Sequence, residues 1–125
     1  MSQYGLTLSA PITADITAKH AAYEDPATGV AVVPNVAKAK CIGLFVEDTL
    51  AAAGEAAIQV AGVAPAVAGA ACSINDSLTP DNQGRMVPAS GAAGEKVWCV
   101  GYSRNTVTLA GDELDVLIAP HQVVI

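Results

Sequence analysis

Residues 48–72 read Asp-Thr-Leu-Ala-Ala-Ala-Gly-Glu-Ala-Ala-Ile-Gln-Val-Ala-Gly-Val-Ala-Pro-Ala-Val-Ala-Gly-Ala-Ala-Cys, and the reading of this stretch decides the fold class. Alanine, the best helix former, dominates it, so propensity alone points to a helix. Gly54, Gly62, Pro65 and Gly69 interrupt it every few residues. A proline in a helix interior costs about 3 kcal/mol and each glycine about 1, more than the alanines return. The stretch therefore reads as strands and turns, with one helical turn near Thr49 to Ala53. Ile58 and Val60 flank Gln59 in the alternation expected of a strand.

The rest of the chain follows the same rhythm. Gly and Pro number 18 in 125 residues, and the longest stretch without either runs only from Ile12 to Asp25. That spacing suits short strands joined by turns better than helices of several turns. Leu114, Val116 and Ile118 alternate with Asp115 and Leu117, a strand with one buried face. Lys96 to Tyr102 is a nearly continuous run of strand formers, as in a strand buried on both faces. The expected fold is all-β, a small β-barrel or β-sandwich with little helix.

An internal repeat organises these strands. Ile42-Gly43 follows Cys41, and Gly54-Glu55 leads into Ile58-Gln59-Val60; later, Val100-Gly101 follows Cys99, and Gly111-Asp112 leads into Leu114 to Ile118. Gly29 and Val33-Pro34 match Gly84 and Val87-Pro88, and Ala18 to Ala22 are aligned with Ala68 to Cys72. The expectation is one domain over 1–125, with an N-terminal arm at 1–11 and two units at about 15–60 and 66–118.

Composition limits what such a domain can do. Six Lys and Arg against twelve Asp and Glu give 6 − 12 = −6. An acidic chain with scattered basic residues has no footprint for nucleic acid or for an anionic membrane surface. No run of 18 residues is free of Gly, Pro and charge, and the start, Met1-Ser2-Gln3-Tyr4, has no basic region of a signal peptide. Of the hydrophobic residues, 25 are Ala and five are aromatic. Alanine buries little area, so modest stability, or stability completed by partners, is expected.

Side chains that carry chemistry are scattered. Cys41, Cys72 and Cys99 form no Cys-x-x-Cys pair and read as small core residues; a Cys41–Cys99 disulfide requires the units to pack face to face. His20 and His121 stand far apart, and no nucleophile elbow, phosphate loop or metal-ligand spacing occurs. Glu47-Asp48 and Asp112-Glu113-Asp115 read as solvated hairpin ends rather than a glycosidase pair. Asp76 to Gly84 has only a loose calcium-loop flavour. Lys38 and Lys40 lack the setting of a biotin or lipoate carrier. The chain reads as a non-enzyme without cofactor or metal.

The run Asp15-Ile16-Thr17-Ala18, Gly29, Ile42-Gly43-Leu44, Gly54-Glu55 and Gly62-Val63, echoed by Gly69-Ala70-Ala71, Gly84, Val100-Gly101 and Gly111, resembles the small Ala-, Gly- and Val-rich capsid decoration (cement) proteins of tailed phages. The resemblance covers roughly residues 12–118. It implies a mostly β protein on the outer surface of an icosahedral phage head, fastening adjacent major capsid proteins and stabilising the expanded capsid. It further implies assembly in the bacterial host cytoplasm, as a homotrimer at local threefold positions or a homodimer at twofold ones. Lys19 departs from the pattern, where a glycine is common in the turn. Such a role needs many weak contacts multiplied by symmetry. Tyr4, Leu6 and Leu8 in the arm, and Val123, Val124 and Ile125 at the C-terminus, are the candidate capsid or subunit contacts, through strand addition to a partner. A tail- or fibre-associated virion module is the alternative reading. A carbohydrate-binding β domain using Trp98 is a further one.

Overall fold

A computed structural model describes residues 6–125. The chain is nearly all β: β1 (Thr7–Pro11), β2 (Ala21–Glu24), β3 (Ala31–Val32), β4 (Gly43–Phe45), β5 (Glu55–Gln59), β6 (Val63–Val67), β7 (Ser77–Pro80), β8 (Met86–Pro88), β9 (Lys96–Ser103) and β10 (Glu113–Val124). The Ala-rich stretch forms one 3₁₀ turn, Ala51–Ala53, then β5 and β6. Gly54 ends that turn with φ 78, and its carbonyl accepts the amide of Ile12 at 3.0 Å. Pro65 is accommodated because β6 lies at a sheet edge, where a missing amide costs no ladder bond. Among the described residues no helix is long and apolar enough to cross a membrane.

The strands make two antiparallel sheets of five, ordered β1-β5-β4-β2-β3 and β6-β10-β9-β7-β8. Adding five to each strand number of the first order yields the second. Registers agree: Ile58 pairs with Leu8 and Phe45, while Val116 pairs with Ala64 and Ser103. Gly43 and Gly101 hold matching places, and a Cβ on either would fall on the carbonyl oxygen of Gln59 or Leu117, respectively. Both must be glycine for the central strands to pair.

The bridges Ile16–Thr49 and Cys72–Val107 correct one part of the sequence alignment. They place Asp15 to Ala22 opposite Ala71 to Leu78, not Ala18 to Ala22 opposite Ala68 to Cys72. Low-complexity Ala and Gly runs align at several offsets, and only the pairing partners select one. Lys19 and Asn75 then become equivalents. Both are left-handed, at φ 65 and 73, and their amides donate to Phe45 and Ser103 carbonyls at 2.9 and 2.7 Å. The turn at Lys19 thus keeps the left-handed shape without its glycine, at the cost of crowding Cβ.

Each half has its own apolar interior. Ala10, Ile12, Ile16, Ala22, Phe45, Ala56 and Ile58 cluster in the first; Ala66, Ala68, Cys72, Leu78, Val100, Leu114 and Val116 cluster in the second. Strand alternation turns Ala21 and Leu44 to the opposite face of the first sheet, where they join the second half's cluster together with Cys41. The inner strands of the first sheet, β4 above all, are therefore buried on both faces. Backbone bonds seal the junction, from Val67 N–H to Lys19 (3.0 Å), Ala21 N–H to Gly84 (2.8 Å) and Lys38 N–H to Pro80 (2.8 Å).

Candidate functional site

The three cysteines are free and buried. Burial pushes the Cys41 thiol up to about 12 and raises those of Cys72 and Cys99, with Asp76 adding to the shift at Cys72. A thiol held protonated is neither a nucleophile nor a metal ligand. Among the described residues no three His, Cys, Asp or Glu side chains converge as a metal site.

The acidic candidates serve local structure. Asp76 accepts the Ser73 amide at 2.8 Å, and Asp81 accepts the Gln83 and Arg85 amides while its second oxygen meets Arg85 Nε at 3.0 Å. These carboxylates close turns and do not form a calcium loop. Asp48 accepts the Ala18 amide, and Glu113 pairs with Lys19 across the two halves. Lys38 Nζ reaches Glu95 at 2.8 Å, a hydrogen bond that holds the Glu95 carboxyl below its ordinary range. Trp98 is half-buried, and the Lys40 ammonium sits 4.3 Å from its ring centre. The cation occupies a ring face that a sugar would need.

His20 is half-buried and bonds Ala18 O through Nδ1 at 2.8 Å. His121, noted in the sequence only for its distance from His20, has close partners in the fold. Its ring stacks on Tyr102 at 4.5 Å, with Nδ1 2.6 Å from Ala119 O and Nε2 3.1 Å from Ser77 Oγ. No spacing rule joins residues 77, 102 and 121; three adjacent strands bring them together on the outward face of the second sheet.

The proposed contact residues fall in two places. Tyr4 lies outside the described residues. Leu6 and Leu8 are 61% and 45% exposed, and Leu8 stands on β1, which pairs with β5 of its own chain and leaves its other edge unpaired among the described strands. Val123 and Val124 continue β10 against Val97 and Lys96, and the Ile125 amide donates to Glu95 O at 2.9 Å. The C-terminus is thus pinned to the sheet while Val124 stays 66% exposed.

One surface concavity gathers apolar and charged groups together. A cleft of about 680 Å³ opens in the first half, with Leu8, Ile42 and Val60 as its apolar walls. Glu24, Asp25 and Lys40 are charged members of its lining, and Pro120 of β10 reaches it from the second half. The cleft is an apolar slot with Glu24, Asp25 and Lys40 in its lining, beside an edge of β1 that is unpaired among the described strands.

No family model matches the chain, and no curated protein matches it by sequence. Among solved structures the chain is similar to the N base of head fiber gp8.5 in bacteriophage phi29, with a TM-score of 0.66 and 14% identity over 93% of this chain and 95% of that one. At that identity the likeness is one of fold.

Proposed function

We propose that this chain is a structural, non-enzymatic protein of a phage particle that attaches to the outer surface of the head. The observation that carries this reading is a fold shared with a head-fiber base over nearly the full length of both chains. The sequence resemblance to decoration proteins, reached from the Gly and Val rhythm, points to the same part of a virion. Protonated thiols, carboxylates spent in turns and a capped tryptophan all suit a scaffold rather than a catalyst. In this reading the protein cements adjacent major capsid proteins, stabilises the expanded shell, and multiplies weak contacts as a homotrimer or homodimer on the lattice.

The fiber-base likeness favours a second reading, in which the domain is the foot of a head fiber and seats a longer appendage. Rebinding of purified protein to stripped, expanded heads tests both. Cementing predicts saturation across the lattice and a higher head-disruption temperature. A fiber foot predicts a few sites per head without stabilisation. Absence of binding to mature heads defeats both.

A further inference from the structure

The cleft of the first half has a counterpart in the second, and the counterpart is full. Pairing partners equate Leu8 with Ala64, Ile42 with Val100, Val60 with Ile118 and Gly29 with Gly84. Every member of the second set is buried, and every member of the first is half-buried or exposed. Leu8 is 45% exposed where Ala64 is 2%. The cover is the first half itself. Gly84 is pressed so closely by Val33 that a side chain there has no room, with Pro34 and His20 alongside. The Lys38 amide bonds Pro80 O at 2.8 Å, Ala39 packs on the second core, and Lys40 caps Trp98. The Val-Pro-Asn-Val-Ala-Lys-Ala-Lys run, residues 33–40, thus bends across the second half, with Pro34 buried, Lys38 left-handed at φ 65, and Val33, Lys38, Ala39 and Lys40 making the contacts.

A second copy docked as the first half sits on the second does not fit the open cleft. Asp76 holds the place of His20 and would meet Glu24 and Asp25, a like-charge clash. Pro11 holds the place of Val67 and has no amide for the bond that Val67 makes to Lys19 O. Both changes stop head-to-tail growth, the route by which such contacts build open filaments.

We propose that this cleft binds a segment of a different protein, built of small apolar residues and bearing lysine. The apolar walls are the counterparts of Ala64, Val100 and Ile118 in the core that Ala39 packs against, and Glu24 and Asp25 outnumber Lys40 in the lining, a balance that favours a cationic segment. The edge of β1 that is unpaired among the described strands offers main-chain bonds to the same segment. The inference rests on the two halves and not on the virion reading; peptide binding can succeed or fail whatever the outcome with heads.

The test is amide NMR titration of the full chain with a synthetic nonapeptide copying Val33 to Cys41, its cysteine replaced by serine. A second peptide carries glutamate in place of both lysines. The expected result is shifts at Leu8, Gly29, Ile42 and Val60 with the lysine peptide alone. Affinity should fall about fivefold in Glu24→Lys, as for loss of an exposed charge pair, and stay unchanged in Asp115→Lys. Leu8→Lys should weaken binding as well, so the result does not depend on one variant folding. Equal binding of the glutamate peptide, shifts confined to the Tyr102 face, or no shift at the peptide's solubility limit overturns the proposal. So does tighter binding after deletion of residues 1–5, which assigns the cleft to the chain's own N-terminus. Concentration-dependent sedimentation abolished by Leu8→Lys assigns it to a second copy and overturns it equally.

Discussion

The two halves share a strand order and differ in how each is finished. In the second, β6 returns past β8 through the Ala68–Met86 bridge, and the Gly69 amide donates to Met86 O at 2.8 Å. That sheet is drawn toward closure, and residues 33–41 of the first half cover its mouth. The first half keeps β1 and β3 as separate edges and leaves its cleft empty among the described residues. The shared strand order thus makes two like templates, and packing covers one while the other keeps its cleft among the described residues. A thin, alanine-rich core suits this division, because small side chains let the first sheet lie close against the second on one face while retaining an interior on the other.

Equivalent positions should therefore respond unequally to the same change. The largest difference is expected between Leu44 and Tyr102, which occupy matching places in β4 and β9. Leu44 is 1% exposed between the halves, so Leu44→Ala should cost about 2–5 kcal/mol in urea unfolding. Tyr102 lies half-buried on the outward face and stacks on His121, so Tyr102→Ala should cost roughly 1 kcal/mol. Equal costs would break the comparison.

The next effect is in pH. The folded state raises the Cys41 thiol to about 12 by burial, so folding favours the protonated form. Stability from this group is fully present below the unfolded thiol value, near 8.5, and is lost as pH rises toward 12. Urea midpoints should decline over that window, and Cys41→Val should flatten the decline more than Cys99→Val does. Native thiols should also react far more slowly with a disulfide reagent at mildly alkaline pH than those of the unfolded chain. A native rate matching the unfolded one would contradict the burial.

The smallest effect sharpens the repeat. Lys19 holds a left-handed conformation that glycine adopts without strain, so Lys19→Gly should raise stability by about 0.5–1 kcal/mol. Asn75→Gly should gain less, because asparagine tolerates that region better than lysine. Thermal unfolding of the two variants measures the difference.

Particular residues show how far reading the chain can reach. Gly54, Gly62 and Pro65 sufficed to reject a helix in the Ala-rich stretch, because the cost of a break is local and large. Gly43 and Gly101 were matched as equivalent positions of the repeat, and the strand pairing keeps that match. The offset of Ala18 to Ala22 could not be read, since alanine pairs with any neighbour and only the bridge partners identify its place. Leu8 was singled out for its alternation with polar neighbours, and it lines the cleft. Glu24, Gly29, Ile42 and Val60 were invisible as a group, because they come from separate strands and turns and meet only in the folded first half. The stacked Tyr102–His121 pair was hidden likewise, brought together by β9 lying beside β10.

By itself the sequence determined an all-β chain of short strands, since backbone preference and turn chemistry act over a few residues. It also determined a net charge of −6. Only the tertiary structure decided that the two halves are unequal, with one covered and the other open. That outcome depends on which face of the first sheet packs against the second. Faces of a strand are told apart by burial, and an alanine-rich chain carries small apolar residues on both.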